Sequence, residues 1–374
     1  MRGDLTPDAV VAAPQGRWAR LGDMTTLTPE SSGSEFSSSE FSSPEFSSPE
    51  FSSPECPTVP LALVAGGSRG LGLLIARELG RRGYRVVICA RDSAELAAAA
   101  EQLRADGVDV HTDTCDVADE PAVSALVAGV EQRLGPIDVA VVVAGVIQVG
   151  PLSAMNRGHF EEAISIMLWG PINVALAVTE RMRPRGRGRI GIVSSVGGLV
   201  SVPHLLPYST AKFGAVGFSS GLRAELAGSG VKVTTITPGL MRTGSHLRAK
   251  FTGRQGAEFG WFSLGASLPL ISMDAERAAW QIVDGVLAGR AYVVLTPLAK
   301  IGMRVNGIAP SLVASMMGLM SRLLPKAPHE PSETLEGWQA EERQVPVMRT
   351  VVAGLTRLGR TAAARWNQEQ RPSR

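Results

Sequence analysis

LALVAGGSRGLG, residues 61–72, joins five apolar residues to a glycine-rich turn, and this junction decides the architecture. An apolar run this short, with no polar alternation, fits a strand buried on both faces. A helical pattern follows from Leu71 to Arg82, then RVVICA (85–90) as a second strand. SAELAAAAEQLRAD (93–106) reads as a helix opened by a Ser with a Glu close behind. The alternation repeats through VDVHTDTC, a helix from about Asp119, IDVAVVVAG, a long helix from about Arg157, GRIGIVSS, a helix carrying LPYSTAKFG (206–214), and VKVTTIT. Buried strands alternating with helices predict an α/β, doubly wound parallel sheet covered on both faces, over about residues 58–295.

Outside that span the character changes. Residues 1–57 include SEFSSSEFSSPEFSSPEFSSPE, a five-residue repeat whose prolines and serines oppose helix and sheet, so a disordered acidic tail is expected. Residues 1–55 hold nine acids and three arginines, net −6, whereas the whole chain of 374 residues carries +2. The compensating positive charge is thinly spread and aromatics are 5%, which argues against a nucleic-acid binder. Cys56, Cys89 and Cys115 lack metal-type spacing, so no metal site is expected, and structural thiols in a reducing compartment are. No basic segment leads into an apolar run at the N-terminus, and no stretch reaches eighteen uninterrupted apolar residues; a cytoplasmic location is the expectation. Residues 296–374 read as a helical extension. Within it VNGIAPSLVASMMGLMSRLL (305–324), flanked by Arg304, Arg322 and Lys326, fits either a helix at a membrane interface or one packed over the substrate site or a second subunit. The stretch 333–374 reads as a solvated amphipathic helix.

In a doubly wound sheet, ligands bind beyond the carboxyl ends of the strands, where strand order reverses. Gly66, Gly70 and Gly72 fall there, and glycines let backbone approach a pyrophosphate that also meets a helix N-terminus. Glycine turns also serve packing, so placement between strand and helix is what gives the motif meaning. Arg69 lies in the turn and Arg91 follows the second strand. Two arginines there would bracket the 2′-phosphate of NADP(H) and disfavour NAD(H). The alternatives are that both are solvated loop arginines, or that neighbouring Asp92 binds the ribose of NAD.

Five landmarks then appear in order: GGSRGLG, Asp116-Val117, Ser195 thirteen positions before Tyr208, YSTAK, and PGLMRT (238–243). On these the chain resembles the short-chain dehydrogenase/reductase family from about Val59 to Thr243. The resemblance implies a Rossmann fold in a single catalytic domain, a homo-oligomer, and NADP(H)-dependent interconversion of a ketone and a secondary alcohol. It implies cofactor contacts from Gly66, Ser68, Arg69, Gly70, Leu71, Gly72 and Arg91, with Asp116 and Val117 flanking the adenine. Ala144 and Gly145 would let backbone approach the cofactor, and Pro238, Gly239 and Thr243 would fold over the nicotinamide. Tyr208 would be general acid and base, Lys212 would lower its pKa, and Ser195 would polarise the carbonyl; Tyr208 and Lys212 also contact the cofactor. A phenol titrates near pH ~10, so some such partner is required. Singly the three also read as a half-buried helix tyrosine, a snorkelling lysine and a turn cap.

Two departures from the family pattern stand out. Val142 and Val143 replace the two amides of its N-N-A-G signature, and Met167 stands where the resemblance places the asparagine of the proton relay. Methionine donates no hydrogen bond. A cofactor-binding sensor or interaction module whose catalysis has decayed is therefore the second reading. Phe251, Phe259, Trp261, Phe262 and Leu264, with Trp169, are candidates for an apolar pocket taking a carbonyl or alcohol substrate, or equally for core or a dimer face.

Overall fold

The computed structural model describes residues 59–267, 272–326, 333–344 and 356–368. The chain divides into two units, Met1–Glu55 and Cys56–Arg374, and all described residues belong to the second. The repeat-rich tail lies outside them.

Seven parallel strands form the sheet: β1 (Leu61–Ala65), β2 (Arg85–Ala90), β3 (Val110–Thr114), β4 (Ile137–Val142), β5 (Gly188–Val193), β6 (Val231–Thr237) and β7 (Tyr292–Val294). Their spatial order is β7-β6-β5-β4-β1-β2-β3, all pairs parallel, so the order reverses between β1 and β4. This is the doubly wound Rossmann arrangement, and its ligand crevice lies at that switch point. Every residue of β1 is buried, and successive side chains enter opposite layers. Ala62 and Val64 face α1 (Gly70–Arg81), α2 (Ser93–Ala105) and α8 (Ala275–Leu287); Leu61, Leu63 and Ala65 face α3 (Glu120–Leu134), α5 (Gly170–Met182) and α6 (Leu206–Glu225). A polar substitution anywhere in β1 would enter one of these two cores without a partner.

The long helix from Arg157 has three parts. α4 (Arg157–Ile164) passes through a π-helical turn, Ser165–Trp169, into α5. By length and composition Arg157–Met182 is apolar enough to cross a membrane, yet Val174, Val178 and Met182 are buried against the sheet. In α2 the cap is Asp92 rather than Ser93: its Oδ1 accepts the Ala94 and Glu95 N–H groups at 2.9 and 3.0 Å.

The aromatic segment is mostly core. α7 (Gln255–Ser267) carries Phe259 and Phe262, which pack edge-on around fully buried Phe251 with ring centroids 5.6 and 5.9 Å away. Trp261 abuts that cluster, whereas Trp169 lies 54% exposed on α5's N-terminal side. The C-terminal region forms α9 (Pro297–Ile308), α10 (Pro310–Ser321), α11 (Gly337–Glu342) and α12 (Arg357–Arg365). The described part of 333–374 is not one solvated helix: Ala363 and Trp366 are buried, and Trp366 joins the core of α1 and α2.

Candidate active site

At the switch point the backbone is drawn tight. Gly66 adopts φ +90°, and a Cβ there would lie 2.5 Å from the Ala144 nitrogen; at Gly72 it would strike the Gly66 carbonyl. Only glycine allows both the positive φ and this approach. The turn is thus held against the end of β4, where the Val143 and Ala144 N–H groups donate to Ala65 O at 2.8 and 3.1 Å. The two valines replacing family amides lie at that end, and Val142 is buried as a strand residue.

Charge gathers beside the turn. Glu95 is buried, accepts from Arg69 Nη1 at 2.8 Å and Arg248 Nη2 at 2.9 Å, and lies 3.3 Å from the Ser68 hydroxyl. Arg69 is therefore not a solvated loop arginine, whereas Arg91 is, with an exposed side chain 3.9 Å from Asp116. Glu336 and Arg91 also act on Arg69, so three guanidiniums against two carboxylates leave a cluster of net +1, suited to a phosphate. Asp92, engaged in capping α2, is not free to bind a ribose through that oxygen. These features fit a dinucleotide carrying an extra phosphate. Asp116 Oδ1 accepts the Ala118 N–H, and Val117 turns its side chain into the core while its carbonyl accepts from buried Asn173 at 2.9 Å. Asn173 escaped sequence reading because a single asparagine in a helix carries no pattern.

The C-terminal segment crosses this turn. Gly70 N–H donates to Trp366 O at 2.8 Å, and Asn367 Nδ2 donates to Ser68 O and Glu95 O at 3.0 and 3.3 Å. A Cβ on Gly70 would collide with the Gln368 amide. Arg248 Nε holds Gln368 O at 3.2 Å, and Asn367 itself has φ +58°. Polar residues in a terminal stretch gave no signal of this placement.

Ser195, Tyr208 and Lys212 come together beyond the ends of β5 and β6. Ser195 follows β5 as the cap of a short 3-10 turn, accepting the Gly197 N–H at 3.0 Å and hydrogen bonding the Tyr208 hydroxyl. A Cβ on Gly197 would lie 3.1 Å from the tyrosine ring, so that glycine admits the ring. Tyr208 opens α6, with Lys212 one turn on and its Nζ 5.9 Å from the ring centroid. Lys212 is buried and donates to Val193 O at 2.8 Å, while Ser194 Oγ donates to Lys212 O at 2.8 Å. Burial lowers the Lys212 pKa from 10.5 to about 8. Burial likewise raises the Tyr208 phenol above its ordinary 10, opposed by the Ser195 hydrogen bond. Ser194, also missed, was adjacent in the sequence but had no motif of its own.

Met167 occupies the π-helical turn, fully buried with Ala163, Ile166 and Ala211, with Tyr208 packed against the cluster. The thioether faces Gly145: a Cβ there would sit 3.5 Å from its sulfur. On the other strand ends, Pro238 O accepts the Val196 N–H at 2.8 Å, Gly239 abuts Thr296, and buried Thr243 accepts the Ser245 N–H at 3.3 Å. Leu71, second residue of α1, is buried. Near Tyr208, His204 takes φ +63° and sets Nδ1 2.9 Å from fully buried Glu258, which also accepts from Trp261 Nε1 at 2.6 Å.

A doubly wound sheet with a glycine turn at its switch point and Ser, Tyr and Lys gathered beyond its strand ends defines a Rossmann-fold oxidoreductase class. The family model for short chain dehydrogenases matches residues 60–251, and the chain belongs to that family. It is 40% identical over 185 residues to a Streptomyces coelicolor protein called "Putative ketoacyl reductase", covering 49% of this chain and 71% of that one. It is 33% identical over 182 residues to gluconate 5-dehydrogenase of Gluconobacter oxydans, covering 49% and 71%. An actinorhodin polyketide ketoreductase variant solved with NADPH aligns with TM-score 0.57 and 32% identity, over 63% of this chain and 95% of that one. A gluconate 5-dehydrogenase from Burkholderia cenocepacia in complex with NADP and tartrate aligns with TM-score 0.56 and 26% identity, over 64% and 95%.

Proposed function

We propose that the protein is an NADP(H)-dependent oxidoreductase interconverting a ketone and a secondary alcohol, with Tyr208 as proton donor. The observation that carries this reading is buried Lys212, held by Val193 O one turn from a tyrosine whose hydroxyl meets Ser195. The cofactor relatives display supplies a hydride to the carbonyl carbon. Everything else falls to the chain. Gly66, Gly70 and Gly72 would let the dinucleotide backbone approach once the C-terminal segment leaves the Gly70 N–H, and Ser68, Arg69 and Arg91 would hold its phosphates. Ser195 and Tyr208 converge on the substrate oxygen, and Tyr208 delivers the proton as charge develops there. At neutral pH a phenol held above 10 is protonated, as an acid must be. Lys212, still mostly cationic below about 8, favours the tyrosinate left behind.

A cavity of about 660 Å³ adjoins the loop between Ser195 and Tyr208, with Val200, Leu206 and Phe213 on one side and Val313 and Met317 on the other. Ser195, Tyr208 and Lys212 are not among its lining residues, and Ser201, His204 and Asn306 are, so its largely apolar walls support an apolar ketone only as a chamber next to the catalytic group. The decayed-sensor reading rests on Met167, which offers no proton path at the relay position. Consumption of NADPH with a panel of apolar ketones separates the two. Turnover that disappears in Tyr208→Phe supports the enzyme; NADPH binding with no turnover on any ketone supports the sensor.

A further inference from the structure

Helices α9 and α10 present an apolar surface that neither the sheet nor the site uses. On α10, Leu312, Met316 and Leu319 recur every three or four residues, one stripe of a helix, and each is more than half exposed, as is Leu323 in the turn that follows. On α9, Leu298, Ile301 and Ile308 repeat the pattern and are also more than half exposed. The pair is fixed to the body from its other side: Ala299 and Val313 are buried, and Asn306 Nδ2 donates to Leu199 O at 2.9 Å. Pro310 splits the segment into two twelve-residue helices, each about 18 Å long and too short to span a bilayer core of about 30 Å.

Charge identifies the partner. Residues 297–326 contain Lys300, Arg304, Arg322 and Lys326 and no carboxylate, and all four cations are exposed. Arg304 lies three residues from Ile301 and four from Ile308, Arg322 three from Leu319, and Lys326 three from Leu323. On the two helices such spacing puts Arg304 and Arg322 on the flank of the stripe, where long stems can reach outward past exposed apolar neighbours, and Lys326 follows just beyond the end of α10. A second copy meeting this face by two-fold symmetry would bring the same four cations, and no carboxylate from this segment, to both sides of the contact. An anionic lipid surface instead satisfies the stripe and its flank together.

We infer that the α9–α10 pair docks on an anionic lipid bilayer, seating its leucines, isoleucines and Met316 below the headgroups while Lys300, Arg304, Arg322 and Lys326 meet lipid phosphates. The opposite side of α10, through Val313 and Met317, walls the apolar cavity. A water-insoluble ketone held in the bilayer would thus be presented beside that cavity; this last point rests on the reductase reading, the docking does not.

The test is co-sedimentation of the full chain with vesicles of phosphatidylcholine, alone or mixed with phosphatidylglycerol. The protein should pellet with the mixed vesicles and much less with the neutral ones. Leu312→Ser with Leu319→Ser should cut the bound fraction at least about tenfold. Arg322→Gln and Lys326→Gln should each weaken binding to mixed vesicles about fivefold. Both sets alter exposed positions and should melt like the wild type. Protein that stays in solution with the mixed vesicles, or serine variants that pellet equally, would overturn the inference. So would light scattering that shows a wild-type dimer lost in the serine variants without any vesicle binding, which marks a subunit contact. Because the readout is binding, loss of turnover leaves the docking result intact, and the converse holds.

Discussion

The backbone N–H of Gly70 donates to the carbonyl of Trp366 at 2.8 Å, so the first turn of α1 is capped by the C-terminal segment. That N–H is one of the helix-terminal donors a pyrophosphate oxygen would take. The segment and a dinucleotide bound at this turn would therefore compete. Asn367→Ala, which removes the side-chain bonds to Ser68 O and Glu95 O, should tighten NADPH binding by up to about tenfold in a fluorescence titration. Weaker binding would show that the segment helps hold the cofactor.

Tyr208→Phe should lower kcat by about 10²–10⁴, with a loss of NADPH affinity far smaller than that and a melting temperature nearly unchanged. Its partner gives a second check. In a difference titration of tyrosinate absorbance against Tyr208→Phe, the cofactor-free protein should ionise Tyr208 above 10, and Ser195→Ala should push that value higher still. A shift downward on losing Ser195 would contradict the assigned hydrogen bond.

Lys212 gives the pH dependence. Its charge, present at neutral pH, is lost as pH rises through about 8, so ketone reduction should fall across that range. The folded pKa lies below the unfolded 10.5, so the native state binds fewer protons between about 8 and 10.5. Stability linked to this lysine is therefore gained as pH rises through that window, and burying the cation is a cost below it. Lys212→Met should abolish turnover yet melt higher than wild type at pH 7, with the gap narrowing toward pH 10. A lower melting point would mean that the Val193 hydrogen bond outweighs desolvation.

Met167→Asn puts into an apolar pocket the asparagine that the family resemblance implies at this position. With Ala163, Ile166 and Ala211 around it and Tyr208 the one polar-tipped side chain packed against them, the new amide would be under-satisfied and should cost about 1–3 kcal/mol, read in a denaturant melt. Met167→Leu should keep most activity. If Met167→Asn instead accelerates turnover, water already reaches this site and the relay is only impaired.

Arg69→Ala should weaken NADPH more than NADH, because it removes one of two cations from the Glu95 cluster. The ratio of the two dissociation constants is the measurement, and an unchanged ratio would move the specificity to Arg91 or Arg248.

What the sequence made legible follows from the range of each interaction. LALVA and the turn after it announced β1 and α1 because apolar runs and glycines act locally, and the spacing of Tyr208 and Lys212 is fixed by one helical turn. Ser195 was readable only beside them. The aromatic residues of α7 stayed ambiguous between core and pocket, since burial depends on what packs opposite, and Phe251 lies outside that helix. Asp92 as the cap of α2 was hidden by its serine neighbour. Arg248 on Glu95, Asn367 on Ser68 and His204 on Glu258 join residues far apart in the chain, and no local pattern records such pairs.

The bond between Gly70 and Trp366 also has an order in time. A ribosome delivers β1, the glycine turn and α1 long before the residues that cover them, because domains form from the N-terminal side as the chain emerges. During synthesis the turn would be open, and the nucleotide would meet no rival for its amides. A newborn chain would thus have an interval in which to load its cofactor, and whatever bound then would later have to be accommodated or expelled when Trp366, Asn367 and Gln368 arrive.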